Sequence, residues 1–386
     1  MSLSSIAVNR GFVNVIFYSV VFWALLYLVK LTPLGAKLEK RGIVIDIFSL
    51  LIRTRRLNGF IEGLGKKYRP FWSKFFSFNV FLSLALMGYA IYFLHLNIFN
   101  YFTKPTGFVG LEPVIPGLTI GFNLLPYLVI ALSVVLISHE LAHGIAAVCE
   151  GIPVSSSGLF VFFILLGGFI EPAEAEFNKA PLRSRMKVLA AGSASNFYVG
   201  ILTLIMIFLL LTPSGVLVNG VESGYPAEGK LFVNDVIVAL NGHPIKDIKD
   251  LRLALSGLRP GDVAVLKVLR GGSSVGVRIK LAKSPFDPTK PFIGIRLSTF
   301  YDLKPAPGLL PPTVMVFISN TFIWVFNLSL TVAMLNMLPT YLLDGGRIFS
   351  DIVRRLSKGR PVKAFEMGVF TYMAALVIFN ILLTFK

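Results

Sequence analysis

The run Ile137-Ser138-His139-Glu140-Leu141-Ala142-His143 sets two histidines four positions apart with a glutamate directly after the first. On a helix, residues four apart share a face, so both imidazoles can reach one metal ion. A glutamate one residue along lies beside them, where it can take a proton from water and return it. This HExxH pattern is the signature of a zinc-dependent hydrolase, with His139 and His143 as ligands and Glu140 as general acid/base. One Zn2+ per chain is the expected cofactor.

Catalytic zinc keeps three protein ligands and leaves a position open. The other histidines, His95 and His243, are remote in the chain. Two sets of acids can complete the site. Glu171, Glu174 and Glu176 lie a short distance downstream. Asp344, in Leu343-Asp344-Gly345-Gly346, ends the longest charge-free run, Pro305 to Leu343. An acid placed there must be paired, ligated or protonated, and Asp344 is the favoured third ligand. Asn196 and Asn336 are amides within apolar segments, where such groups bond a neighbouring helix or position substrate. Asn336 stands eight residues before Asp344, and Pro339 breaks the helix between them.

These residues sit in a chain that is not built for water. Of 386 residues, 55% are hydrophobic and only 15% charged. Mean hydropathy is +0.74. Ordinary soluble domains carry about a quarter charged residues, and disordered chains need low hydrophobicity. One cysteine, Cys149, excludes a disulfide framework and a Cys-rich zinc module. Six charge-poor segments are long enough to span a bilayer, which takes about 20 apolar residues. They are Gly11–Val29, Ser77–Asn97, Leu125–Val148, Val188–Leu211, Thr313–Leu338 and Gly368–Thr384. Two shorter apolar stretches, Ile43–Ile52 and Leu159–Ile170, read as re-entrant segments that dip into the membrane.

The formal charge of +17 falls mainly in three loops. One carries Lys37 to Lys74, the second Lys179 to Lys187, and the third Arg347 to Lys363. Under a six-span count all three lie on one side. That distribution orients the chain with these loops in the cytoplasm rather than marking a nucleic-acid surface. Both termini then lie outside, and HExxH and Asp344 both lie near the cytoplasmic ends of their spans. The expected setting is the cell membrane of a prokaryote.

Between the fourth and fifth spans the pattern changes. Short β-like runs at Phe232–Leu240, Val263–Leu269, Val275–Leu281 and Phe292–Leu297 surround a helical pattern at Ile245–Leu258. Asn241-Gly242 and Arg270-Gly271-Gly272 are turn signals. The expected organisation is therefore residues 1–213 with four spans and HExxH, an extracytoplasmic, mostly β insert at 214–300, and residues 301–386 with two spans and the Leu-Asp-Gly motif. The insert resembles a PDZ domain in Pro226-Ala227-Glu228-Gly229-Lys230-Leu231, Asn234-Asp235-Val236-Ile237, Asn241-Gly242 and Pro260-Gly261. Asn234 stands where relatives often carry Gly.

Across nearly its whole length the chain resembles the site-2 protease family of intramembrane zinc metalloproteases. Three motifs coincide in order: the HExxH at 139–143, Ala191-Gly192-Ser193-Ala194-Ser195-Asn196, and Asn336-Met337-Leu338-Pro339 running on to Asp344-Gly345-Gly346. Ser193 replaces a frequent Pro. The resemblance implies that His139, His143 and Asp344 bind zinc and that Glu140 is catalytic. It also implies that Gly167-Gly168-Phe169-Ile170-Glu171-Pro172 lies by the active site, where it can present an edge strand to unwound substrate. Gly167, Gly168, Asn196 and Asn336 are the substrate-positioning candidates. The expected partners are the lipid bilayer and single-pass membrane proteins already trimmed by another protease, in regulated intramembrane proteolysis. Two other readings stand beside this one. The first is a zinc protease acting on soluble loops, misfolded proteins or lipidated C-termini, with a Glu as third ligand. The second is a non-catalytic PDZ scaffold, which has no use for Glu140. A metal transporter would need more His or acidic residues along several spans.

Overall fold

The computed structural model describes residues 10–116, 119–162 and 165–385. Helices α1 (Arg10–Lys30), α4 (Arg69–Thr103), α5 (Leu125–Cys149), α7 (Leu182–Leu210), α9 (Pro312–Leu335) and α11 (Lys363–Thr384) cover the six apolar segments. Among the described residues, five helices are long and apolar enough to cross a membrane. A sixth span results if α1 is counted with α2 (Pro33–Lys40), which bends from it by 86°. Between them stand the amphipathic α3 (Arg55–Lys67) and the short α6 (Glu174–Lys179).

The two short apolar stretches form strands of one sheet. β1 (Ile43–Asp46) and β2 (Ser49–Arg53) make a hairpin, and β2 pairs with β3 (Val154–Phe162), which pairs with β4 (Leu165–Pro172). All pairings are antiparallel in the order β1-β2-β3-β4. Two residues of the second stretch, Phe163 and Ile164, lie outside the described residues. The inner strands pair on both sides, and β1 and β4 form the two edges. β4 lies against α5, and close approach is possible because Gly144 faces the Ile170 side chain.

The chain separates into two compact units, residues 1–201 with 324–386, and residues 202–323. The first has its main core around Ile61, Phe76, Ile145, Leu189 and Met337. The second holds the insert. Its sheet runs in the order β12-β5-β6-β8-β9, from β5 (Leu211–Val221), β6 (Val236–Leu240), β8 (Val263–Arg270), β9 (Ser273–Lys280) and β12 (Ile295–Leu303). Three two-residue strands, β7 (His243–Pro244), β10 (Ala282–Lys283) and β11 (Pro291–Phe292), complete the strand set. α8 (Ile248–Ser256) is capped by Asp247, whose carboxylate accepts from the Lys249 and Asp250 N–H groups. Asn234 and Asn241 take positive φ, 73° and 48°, so each amide residue does the backbone work of a glycine there. The core packs Val216, Val218, Ile237, Leu251, Leu266 and Ile279 between sheet and helix.

After α9 the chain folds back on itself before α10 (Asp344–Leu356) begins. The Gly345 N–H donates to the Asn336 carbonyl at 2.8 Å. A Cβ on Gly345 would stand 2.0 Å from the Met337 carbonyl oxygen, and one on Gly346 would collide with that of Thr340. The two glycines after Asp344 are thus required by a tight return of the backbone. That return sets the position of the Asp344 carboxylate.

Candidate active site

α5 presents His139 and His143 on one buried face. Asp344, at the first position of α10, closes a triangle with them. Its Oδ2 stands 3.2 Å from His139 Nε2 and 3.2 Å from His143 Nε2. The two Nε2 atoms are 3.0 Å apart. Four-coordinate zinc with bonds of about 2.0–2.1 Å separates neighbouring ligand atoms by roughly 3.3 Å. Two imidazole lone pairs and a carboxylate oxygen at this spacing repel one another unless a cation or a proton lies among them. The donor set therefore fits a zinc ion.

The remaining nitrogens of the two rings are held by α7. His143 Nδ1 lies 2.7 Å from the Val188 carbonyl, so it carries the proton and donates it, leaving Nε2 free as a ligand. His139 Nδ1 lies 3.1 Å from the Nδ2 end of the fully buried Asn196 amide, whose Oδ1 lies toward Ser138 Oγ. A metal-ligating Nε2 again leaves the proton on Nδ1, and two N–H donors cannot face each other, so with metal bound the amide is turned over, its oxygen toward His139. The amide nitrogen then meets Ser138 Oγ, the other polar atom beside it. Val188, Gly192 and Asn196 follow each other at four-residue steps along one stripe of α7. Gly192 sits between the two holding groups for a steric reason. A Cβ there would come within 2.4 Å of His143 Nε2 and 2.6 Å of His139 Nε2, in the space a metal needs.

Glu140 lies next to the triangle, and its Oε2 accepts the Ile170 N–H at 3.3 Å. Ile170 belongs to β4, the last strand of its sheet. On its inner side β3 pairs with it through Ser157, whose carbonyl accepts from Thr54 on the β2 side. The Ile170 N–H consequently points away from the sheet, and by strand alternation so does that of Gly168. Both strand glycines pack close to neighbours. A Cβ on Gly167 would reach 2.6 Å from the Phe160 ring, whereas one on Gly168 would make ordinary contact with Ile137 at 3.6 Å.

A cavity of about 1390 Å³ joins these groups. His139, Glu140, His143, Ile170, Asn336 and Asp344 line it, together with the charged Glu171, Glu174, Arg347 and Lys363. Asn336 lines the cavity and holds Gly345 with its backbone carbonyl. Glu171 and Glu174 border the cavity, with Glu171 accepting from Ser156 Oγ, but neither they nor Glu176 join the ligand triangle. His95 pairs with Tyr372 at 2.6 Å, and His243 lies exposed on β7. Among the described residues, His139, His143 and Asp344 are the cluster that could hold a metal. Two participants had no assigned role in the sequence. Val188 contributes a backbone carbonyl, which side-chain identity cannot reveal. Gly192 was visible only as part of a motif, although its spacing of four from Asn196 marked a shared helix face.

The model of the peptidase family M50 matches residues 127–380. An uncharacterized protein of Methanocaldococcus jannaschii is 26% identical over 87% of this chain and 84% of its own length. A protein of Clostridium perfringens, named provisionally as a zinc metalloprotease, is 25% identical over 66% of this chain and 96% of its own. The crystal structure of the PDZ domain of an SdrC-like protein from Listeria innocua matches 22% of this chain and 92% of that domain, at 27% identity and a TM-score of 0.20.

Proposed function

The chain belongs to peptidase family M50, a multi-pass membrane zinc metalloprotease, and from that premise we propose that it hydrolyses peptide bonds within or near the spanning helix of single-pass membrane proteins. The observation that carries this reading is the triangle of His139, His143 and Asp344 donor atoms at 3.0–3.2 Å with Glu140 beside it. One zinc per chain, held by those three residues, supplies Lewis acidity toward water and the scissile carbonyl. Glu140 acts as the proton carrier: its carboxylate accepts a proton from the attacking water and delivers it to the leaving amine. The Ile170 N–H keeps that carboxylate turned toward the cavity. The Val188 carbonyl and the Asn196 amide fix both imidazoles with Nε2 directed inward.

A peptide bond inside an intact helix has its carbonyl engaged four residues on. Cleavage requires an extended stretch, and the outward-facing edge of β4 at Gly168 and Ile170 supports strand addition beside Glu140. Asn336, on the cavity wall, is suited to bond the substrate backbone. The three basic loops support a cytoplasmic placement of this end of the spans in the cell membrane. The PDZ-like insert then faces the other side, where it selects substrates whose outer domain has been trimmed by another protease. This is the arrangement of regulated intramembrane proteolysis.

The test is cleavage of tagged single-pass proteins by the full chain in proteoliposomes, beside Glu140→Gln, with the cut positions mapped by mass spectrometry. Cuts within or next to the spanning segment, absent from the variant, are expected. Equal cleavage by both proteins removes Glu140 from its role, and cuts confined to soluble loops remove the substrate class.

A further inference from the structure

Five cations crowd the start of α7 and the last turns of α10: Arg183, Arg185, Lys187, Arg354 and Arg355. Three of them have a carboxylate of their own. Arg185 Nη2 meets Asp351 Oδ1 at 2.9 Å, and the buried Lys187 meets Glu150 at 2.7 Å. Arg354 makes a two-pronged contact with Glu366 at 3.0 and 3.1 Å. Arg183 and Arg355 are left over, with no carboxylate within 4 Å among the described residues. These two line the same crevice, of about 640 Å³. The rest of its lining is mostly apolar and comes from spanning helices, Val80 and Phe81 from α4 and Leu182 and Met186 from α7, with Ser77, Pro181 and the Glu150-paired Lys187 beside them.

We propose that this crevice binds an acidic phospholipid, with the phosphate held between Arg183 and Arg355 and an acyl chain along Val80, Phe81, Leu182 and Met186. Each half of the crevice selects against another occupant. A free phosphate ion gains nothing from the apolar wall and must displace water from it. A zwitterionic lipid fills the apolar wall but brings an ammonium along with its phosphate, so it adds no net charge to offset two guanidiniums. A guanidinium fork matches phosphate oxygens in geometry as well as charge. Basic pockets between helices at a membrane surface recognise anionic headgroups by this combination. The local pairing sharpens the choice, because the neighbouring acids Asp351, Glu150 and Glu366 are already taken. The lipid would tie the far end of α10 to α7, and α10 begins at Asp344.

The experiment is native mass spectrometry of the full chain released from detergent micelles containing equimolar phosphatidylglycerol and phosphatidylcholine. Three proteins are compared: wild type, Arg183→Gln with Arg355→Gln, and a charge-matched control, Lys358→Gln with Arg360→Gln. Wild type and control should retain phosphatidylglycerol over phosphatidylcholine by at least about tenfold, as expected for two arginines at a lipid phosphate. The Arg183/Arg355 variant should lose the preference, and excess free glycerol phosphate should not displace the lipid. Wild-type zinc content in both variants shows that they fold. Retention unchanged in the Arg183/Arg355 variant overturns the site. An equal loss in the control reduces it to diffuse charge, and displacement by glycerol phosphate reduces it to an anion site.

Discussion

Two acids, the buried Asp235 and the half-buried Asp344, one in each unit of the chain, show how differently a protein can treat the same functional group. Asp235, in the insert, is closed on all sides by donors. Arg270 reaches it through two contacts of 2.8 and 2.7 Å, and the Phe232 N–H adds a third at 2.9 Å. Arg270 is itself stacked over the Phe232 ring and bonded to the Lys230 carbonyl. Asp344, in the membrane unit, faces two imidazole nitrogens whose own protons are pledged elsewhere, to Val188 and Asn196. The first acid is complete within the chain. The second has acceptor atoms for neighbours and is complete only with a cation. A buried charge whose partners are all donors stabilises a fold, whereas one surrounded by lone pairs marks a place for a ligand.

This contrast can be broken most sharply at Gly192. Gly192→Ala should abolish stoichiometric zinc, read by elemental analysis of purified chain, as Asp344→Ala should. Zinc at the wild-type level in Gly192→Ala would show that the cation does not lie where the three donors converge. Next in size is Glu140→Gln, expected to lower the rate of cleavage by about 10²–10⁴-fold while zinc content stays the same. Loss of zinc in that variant would make Glu140 part of the ligand set instead. Asn196→Leu should weaken zinc binding by about 10–100-fold in chelator competition, while Asn196→Asp, which still accepts the Nδ1 proton of His139, should retain it. The reverse order would mean that Asn196 donates to His139. In the insert, Arg270→Met should cost about 2 kcal/mol of stability, since it leaves Asp235 buried without its cation, discounted for the partial exposure of the arginine. Thermal unfolding should shift while zinc content does not. The smallest effect is expected at Gly168→Ala, under about 1 kcal/mol, because a Cβ fits there at van der Waals distance. Gly167→Ala, which meets the Phe160 ring, should be measurably worse by the same thermal measurement.

Much of the site could be read along the chain because helices have a fixed period. His139 and His143 lie four apart, so their common face, with Glu140 on the adjacent one, follows from spacing alone. The apolar segments likewise emerge as helices α4, α5, α7, α9 and α11, although α4 runs eight residues before and six beyond the expected Ser77–Asn97 and α7 begins six residues before Val188. The sheet was less legible. Ile43–Ile52 and Leu159–Ile170 read as separate apolar stretches, yet Leu51 pairs with Phe160 across more than a hundred residues. No local pattern encodes a partner that distant. At the fourth span, the apolar run through Leu211 hides a change of state: α7 stops at Leu210 and β5 starts at Leu211. Hydropathy is blind to that boundary because both elements are apolar there.

From the sequence by itself came the chemistry available: two imidazoles on one helix face with a carboxylate beside them, an acid beyond a long uncharged run, two glycines after it, and basic loops that orient the spans. Tertiary structure alone decided which acid meets the imidazoles, which carbonyl and amide hold their outer nitrogens, and which two of five neighbouring arginines and lysines remain without a carboxylate. The reason is geometric. Positions three or four apart on a helix are held at fixed distance by the backbone, whereas Asp344 lies 201 residues beyond His143, and its approach depends on how α5, α7 and α10 pack.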